Sequence, residues 1–298
     1  MIDNKDKKNP KIVIILLNYN NYNDTFNCVE SLKKIKYSNF SIIIVDNKST
    51  NDSLERLKNI ENSKIKIIES GKNGGFAFGN NIGIKEALEQ KAEYVLLLNN
   101  DTIVTPNFLD KLVECFYIEH DIGIATSRIM YNDERDKIWY AGGNIDWNNL
   151  RAIHEGINQN IYKNNEKKVV GFASGCCMLI SSECLKKVGD LPEDYFMYCE
   201  DMDYCIRVRE FGYKIIYNSD SVIYHCVSSS GGGEDSSFVI EWSNRARRKF
   251  YKKYKKYIKK YKRGYVCIKC EIRTIIKIIV GKNKKQKLKA YKQSFIKK

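Results

Sequence analysis

Residues 11–18 (KIVIILLN), 41–45 (SIIIV), 64–68 (KIKII) and 94–98 (YVLLL) are short apolar runs. A segment of helical pattern follows each: 25–35, 54–60, one ending near Gln90, and 106–119. A chain that alternates in this way with short connections is restricted to an α/β fold. Parallel strands, joined by right-handed crossovers, lie buried between layers of helices. The 298 residues leave room for one large α/β domain with an appendage, or for two modest domains. Thr105-Pro106 is expected to cap the fourth helix, with proline at its first position.

Beyond Ile122 the rhythm changes. Segments up to Ser181 are shorter and more strand-like, broken by Gly142-Gly143, Gly156 and the polar run 158–168. Residues 175–181 (GCCMLIS) form another apolar strand pattern. A polar-aromatic loop, 189–201, then leads into a helix expected over Asp203–Phe211, where Asp203 and Arg207 stand at the i,i+4 spacing of an ion pair. Two short strands are expected at 214–217 and 221–225, followed by a Gly/Ser-rich linker, 228–237. The expected division is a body over 1–233, with halves of about 11–120 and 121–233, and a helical extension over 234–298.

Charge follows the same division. Residues 245–298 hold 23 Lys and Arg and one acid, Glu271, a charge of +22; the rest of the chain sums to −7. The N-terminus is polar, the apolar run 12–17 is too short for a signal peptide, and no stretch reaches about 18 apolar residues. A cytoplasmic protein without a transmembrane helix is therefore expected. The ten cysteines sit mostly within apolar patterns, as reduced core residues do, and Cys267-x-x-Cys270 lacks the second pair of a zinc site.

Three of the apolar runs end in polar clusters: Asn18-Tyr19-Asn20, Asp46-Asn47 and Asn99-Asn100-Asp101. Each alone suits a turn or a helix cap. In a parallel sheet all three converge on the carboxyl edge, where such sheets bind ligands. The glycine-rich stretch 73–81 (NGGFAFGNN), which contains Gly75, opens a helix beside them. Its glycines either permit close backbone approach to a phosphate or make a tight loop, and it has neither dinucleotide-binding spacing nor a Walker lysine. Glu200, Asp201 and Asp203 lie among aromatics in YFMYCEDMDYC. They suit either the positive end of a helix dipole or a general base in an aromatic-walled cleft. His225 ends a strand, and is a metal candidate only beside an acid such as Asp101.

The ordered set VIILLNYN, IIIVDNKSTNDS, NGGFAFGNNIGI, YVLLLNNDT, ASGCCMLIS, VGDLPEDYFMYCEDMDYCIRVREFGYKI and IYHCVSSSGG spans residues 11–233. It resembles glycosyltransferase family 2, the inverting GT-A enzymes, and within it the bacterial rhamnosyltransferase-like branch. The resemblance implies a Rossmann-like, mostly parallel central sheet flanked by helices. It also implies transfer of a sugar from a nucleotide-diphosphate donor, dTDP-rhamnose or a UDP-sugar, to a hydroxyl of a glycan or lipid-linked acceptor in cell-surface polysaccharide synthesis. Tyr19 would contact the nucleobase and Asp46 would hydrogen-bond it, with Gly75, Asn99 and Asn100 along the donor. Asp101 would bind the Mg2+ or Mn2+ that bridges the diphosphate, His225 would complete the metal site, and Asp201, with Glu200 beside it, would be the catalytic base. Asn99 stands where many relatives carry the first acid of an Asp-x-Asp motif, so metal affinity without the donor is expected to be low.

Residues 245–265 alternate Lys pairs with aromatics, and Phe250, Tyr254, Tyr257 and Tyr261 are expected to share one helix face. Such a helix suits an anionic membrane surface, which would place the protein peripherally on the inner face of the cell membrane. Nucleic acid is the other known use of a basic tail and is not expected here. Two other classes compete. A sugar-nucleotide nucleotidyltransferase would need a glycine-rich loop with Arg or Lys directly after the first strand, and NYNNYND has neither. An inactive glycan-binding scaffold has no use for both Asp101 and Asp201.

Overall fold

The computed structural model describes residues 9–227 and 236–296; most of the Gly/Ser-rich linker, and the expected boundary at 233/234, lie outside the described residues. Strands β1 (Ile12–Asn18), β2 (Phe40–Asp46), β3 (Ile65–Glu69) and β4 (Tyr94–Asn99) pair in parallel, in the order β4-β1-β2-β3. Helices α1 (Tyr22–Leu32), α2 (Ser53–Lys58) and α3 (Phe76–Glu89) connect them. Ile12–Leu16 of β1 and Val95–Leu97 of β4 are wholly buried, as continuous apolar runs under two helical layers must be.

The second half extends the same sheet with mixed pairing. It comprises β5 (Thr102–Val104), α4 (Phe108–Val113), β6 (Ile122–Tyr131), β7 (Ile138–Tyr140), β8 (Gly143–Asp146), β9 (Arg151–His154), β10 (Lys167–Val170), β11 (Cys177–Ser181), α5 (Ser182–Val188), α6 (Glu200–Glu210) and β12 (Lys214–His225). The full order is β10-β12-β6-β11-β4-β1-β2-β3, with β5 on β12, β7 on β6, and β8–β9 as a separate hairpin. β11 runs antiparallel to both neighbours, so the sheet is mostly but not wholly parallel.

Three local expectations are corrected. Residues 214–225 form one strand, not two. The polar stretch that looks like a break is a bulge between Asn218 and Val222, where Asn218 donates to the Lys111 carbonyl (2.6 Å) and Ser221 to the Phe108 carbonyl (2.8 Å). The helix after β5 begins at Phe108, with Asn107 rather than Thr105 at its N-cap. Asp203 does not pair with Arg207: the guanidinium donates to the carbonyls of Val188 and Asp190, which end the preceding helix and its loop.

The extension folds into α7 (Ser237–Tyr254), α8 (Arg263–Val280) and α9 (Lys284–Gln293). The expected aromatic stripe is also corrected. α7 stops at Tyr254, Phe250 and Tyr254 are buried against the body, and Tyr261 stands exposed in the second of two short 3-10 turns that follow. The cause is Trp147, whose ring lies 5.8 Å from Phe250 and 4.8 Å from Tyr257, stacked on both. Lys253 reaches the fully buried carboxylate of Asp203 at 2.7 Å, and Lys256 and Tyr257 both meet Glu210. Within the extension, Glu271 accepts a two-pronged contact from Arg248 (2.8 and 2.9 Å) and a hydrogen bond from Tyr291 (2.7 Å).

Lys253 therefore compensates a carboxylate that no water reaches. Lys253→Ala leaves Asp203 its Tyr195 hydroxyl but removes the cation beside it, and a loss of about 1–3 kcal/mol is expected. Thermal unfolding of the variant checks this, and truncation after Ser243 should lower the melting temperature further. An unchanged melting temperature in both proteins contradicts the packing of α7 on the body.

Candidate active site

The carboxyl edge of the sheet is held by a buried polar chain. Asn100 Nδ2 donates to Thr25 Oγ1 (2.8 Å), Thr25 Oγ1 donates to Asn18 Oδ1 (2.8 Å), and Asn18 Nδ2 donates to Asp46 Oδ2 (2.7 Å). Ser49 closes it, its hydroxyl on Asp46 Oδ2 (2.6 Å) and its amide on Oδ1 (2.8 Å). The three polar clusters of the sequence thus meet as one network. Thr25 and Ser49 carry it and went unnoticed in the sequence. Only the placement of Thr25 on the buried face of α1 could have marked it. Tyr19, next to this chain, is 45% exposed and turns its ring outward, while Asp46 is wholly enclosed.

Gly75 joins the next element. Its carbonyl accepts from Asn47 Nδ2 (3.1 Å), its φ is +89°, and a Cβ there would stand 1.9 Å from the Phe196 carbonyl oxygen. Only glycine fits, because the loop before α6 lies directly on it; the Phe76 amide donates to the same Phe196 oxygen (2.9 Å). The donor-side loop and the loop carrying the acids are therefore one packed unit.

Asp201 is fixed by two backbone amides, Met202 (2.8 Å to Oδ1) and Gly175 (3.3 Å to Oδ2). The adjacent residue, Cys176, accepts the Asn99 amide at 2.9 Å. The anchor of Asp201 and the anchor of the Asn99–Asp101 turn are thus adjacent residues. Glu200 is buried, and its Oε2 has no hydrogen-bond partner among the described residues. Burial, with the Asp201 charge next to it, raises the Glu200 carboxyl well above the usual range; burial raises Asp201 too, opposed by its amide donors. Burial thus raises both side chains of the pair, Glu200 the more strongly. Tyr198 and Cys199, just before them, both adopt left-handed backbone (φ +72° and +68°), a strained approach of a kind that clusters at functional sites.

β5 pairs with β12 so that Thr102 faces His225, which brings His225 Nε2 to 3.2 Å from Asp101 Oδ1, both residues buried. Two ligands on neighbouring positions of an octahedral Mg2+ or Mn2+ stand roughly 3 Å apart, so the pair fits such an ion. Among the described residues no third His, Cys, Asp or Glu joins them, and the oxygens of a diphosphate are suited to complete the shell. His225 Nδ1 has no hydrogen-bond partner among the described residues, so nothing presets the tautomer a metal requires. Trp139 lies edge-on between His225 (4.8 Å) and His154 (4.5 Å), and burial pushes His154 down to about 4, which keeps it neutral.

The family model for glycosyl transferase family 2 matches residues 13–189. The chain is 28% identical over 221 residues to the dTDP-rhamnosyl transferase RfbF of Shigella flexneri, covering 74% of this chain and 70% of that one. It is 28% identical over 193 residues to the rhamnosyltransferase WbbL of Escherichia coli K12, covering 60% and 69%. Among solved structures, a GalNAc-T7 complex with UDP, GalNAc and Mn2+ superposes with a TM-score of 0.65 at 17% identity, over 82% of this chain and 48% of that one. The mannosyltransferase PcManGT of Pyrobaculum calidifontis, with GDP-Man and Mn2+, gives 0.60 at 13% identity, over 95% and 74%. The two establish a GT-A fold here. The family match ends before Glu200, Asp201 and His225, whose roles rest on their geometry.

The raised carboxyls have a consequence for stability. In the unfolded chain Glu200 ionises near 4.5, whereas in the folded protein it keeps its proton to higher pH. The folded state then binds more protons, so this group's contribution to stability is present at low pH and is lost as pH rises above 4.5. Glu200→Gln removes the loss. Its melting temperature relative to wild type should rise between pH 5 and pH 8, and a difference independent of pH would show that Glu200 is not held protonated.

Proposed function

Because the chain belongs to glycosyl transferase family 2, we propose that it is an inverting hexosyltransferase that moves a sugar from a nucleotide diphosphate to an acceptor hydroxyl. The observation that carries this is the link between Asp201 and the Asn99–Asp101 turn through the adjacent residues Gly175 and Cys176. It joins a general base to a diphosphate-binding edge. The rhamnosyl transferases among the relatives favour dTDP-rhamnose as donor, with a UDP-sugar next, and a glycan or lipid-linked acceptor used in cell-surface polysaccharide synthesis on the cytoplasmic side of the membrane.

Each residue has a defined task. Tyr19 offers an exposed ring against the nucleobase, at the mouth of the network centred on Asp46. Asn99 and Asn100 lie on the turn beneath the diphosphate, and Asn100, tied to Thr25, holds the turn in place. Asp101 and His225 would hold a divalent cation, which supplies positive charge against the departing diphosphate. Asp201 accepts the proton of the acceptor hydroxyl as its oxygen attacks the anomeric carbon. A single displacement of this kind inverts the anomeric centre, through an oxocarbenium-like transition state. Glu200, already protonated, serves as a neutral neighbour that keeps Asp201 at a basicity suited to the transfer.

Two measurements test the assignment. Asp201→Asn should lower kcat with dTDP-rhamnose by about 10²–10⁴-fold while leaving donor affinity nearly intact, whereas Glu200→Gln, isosteric with the protonated acid, should keep kcat within about tenfold. Equal losses in the two variants would make Glu200 the base instead. Asp101→Ala should weaken donor binding in Mn2+ by about 10–100-fold in calorimetry and leave binding in EDTA unchanged. The same loss with and without metal would remove Asp101 from the cation site.

A further inference from the structure

α8 presents two faces to different surroundings. Val266, Cys270, Thr274 and Ile278 are buried, against the body and the other two helices of the extension. Tyr265, Ile268, Ile272, Ile275, Ile276 and Ile279 are 41–63% exposed. At about 100° per residue these six fall within an arc of roughly 100°, opposite the buried face. Lys262 and Lys269 follow one border of that arc in the helical projection, with Arg273 and Lys277 further round toward the buried face. α9 and the residues after it add exposed Leu288, Phe295 and Ile296, among exposed Lys284, Lys285, Lys289 and Lys292.

A contiguous apolar stripe of this length marks an interaction surface, and the charge around it decides what it meets. Residues 245–298 carry +22, and their single acid, Glu271, is already matched by Arg248. A second copy brought face to face would oppose one cationic field with another. No helix among the described residues is long and apolar enough to cross a membrane, so the stripe suits a helix lying in the interface plane.

We propose that α8 lies in the headgroup region of an anionic membrane, its isoleucines at the acyl boundary and the lysines of α8 and α9 on lipid phosphates. The surface differs from the one the sequence suggested: Phe250 and Tyr254 of α7 are buried on the body, and six apolar residues of α8 face outward. The proposal rests on a lipid-linked acceptor for its purpose, but its test involves no sugar transfer.

The full chain is mixed with vesicles of phosphatidylcholine alone or doped with phosphatidylglycerol, and sedimented. Wild type should partition to the anionic vesicles only, and about 0.5 M salt, with a screening length of a few ångströms, should release much of it. Ile272→Glu combined with Ile276→Glu should weaken partition by at least about tenfold with an unchanged melting temperature. Lys269→Glu combined with Lys277→Glu should weaken it while leaving donor binding intact. No sedimentation of wild type overturns the proposal, as does equal partition of the isoleucine variant. A dimer in light scattering that the isoleucine variant converts to monomer, without vesicle binding, assigns the face to a second copy and also overturns it. Vesicle binding by an enzyme that transfers no sugar would sink the proposed function and leave the docking face standing.

Discussion

The chain of hydrogen bonds from Asn100 through Thr25 and Asn18 to Asp46 fixes the edge on which everything else stands. Its members are buried or nearly so, and a buried polar group left without a partner costs about 1–3 kcal/mol. Each link thus has one low-energy arrangement, and the ends of β1, β2 and β4 are set relative to one another by side chains as well as by the ladder. Asp46 receives three donors on two oxygens, so an enclosed charge is matched within the protein. The residues that flank it, exposed Tyr19 and half-buried Asn99 among them, are then presented on a rigid support.

The first turn of α6 poses the opposite problem, three carboxylates within four residues. Like charges so placed cannot all ionise in a buried setting unless each finds a different remedy. Glu200 keeps its proton, Asp201 takes two amides, and Asp203 takes Tyr195 and Lys253. The third remedy comes from α7, some fifty residues further on, so the extension is part of the foundation of α6. Deleting it would disturb the proposed base, Asp201, through Asp203.

Much of this was legible in the sequence. The four parallel strands and the connecting helices follow from apolar runs and periodicity, with strand ends shifted by at most a residue and α1 displaced by three. The pairing of Asp101 with His225 was expected only from family resemblance, and the β5–β12 register that produces it joins residues more than a hundred positions apart. Local pattern failed wherever a distant partner decided the outcome. Residues 218–221 look like a loop because they are polar, yet carbonyls from α4 satisfy two of them inside a strand. Asp203 and Arg207 have ion-pair spacing, but Lys253 and the end of α5 offered each a better-placed partner. Gly75 could be seen as a loop glycine, but not as the seat of the Phe196 carbonyl.

The extension shows the limit of composition most clearly. Its charge and aromatics invite one conclusion, that the aromatic helix meets the membrane, whereas Trp147 draws Phe250 and Tyr257 inward. A ring stacked on a ring already buries the area that membrane insertion would offer it, and with more geometric definition. α8 has no comparable partner: the body contacts it through Asn149 and α7 through Thr274, both on its inner side. Its isoleucines are left outward because the buried face of an 18-residue helix is already filled by one residue in every four. The same +22 therefore does two jobs. On α7 it includes the lysine that compensates Asp203, and on α8 and α9 it surrounds an apolar stripe. The helix that supports Asp203 and the helix with the outward isoleucines are joined in one unit by Arg248 with Glu271, by Asn244 with Thr274 and by Ile240 with Ile278, so the proposed base and the proposed docking face share one framework.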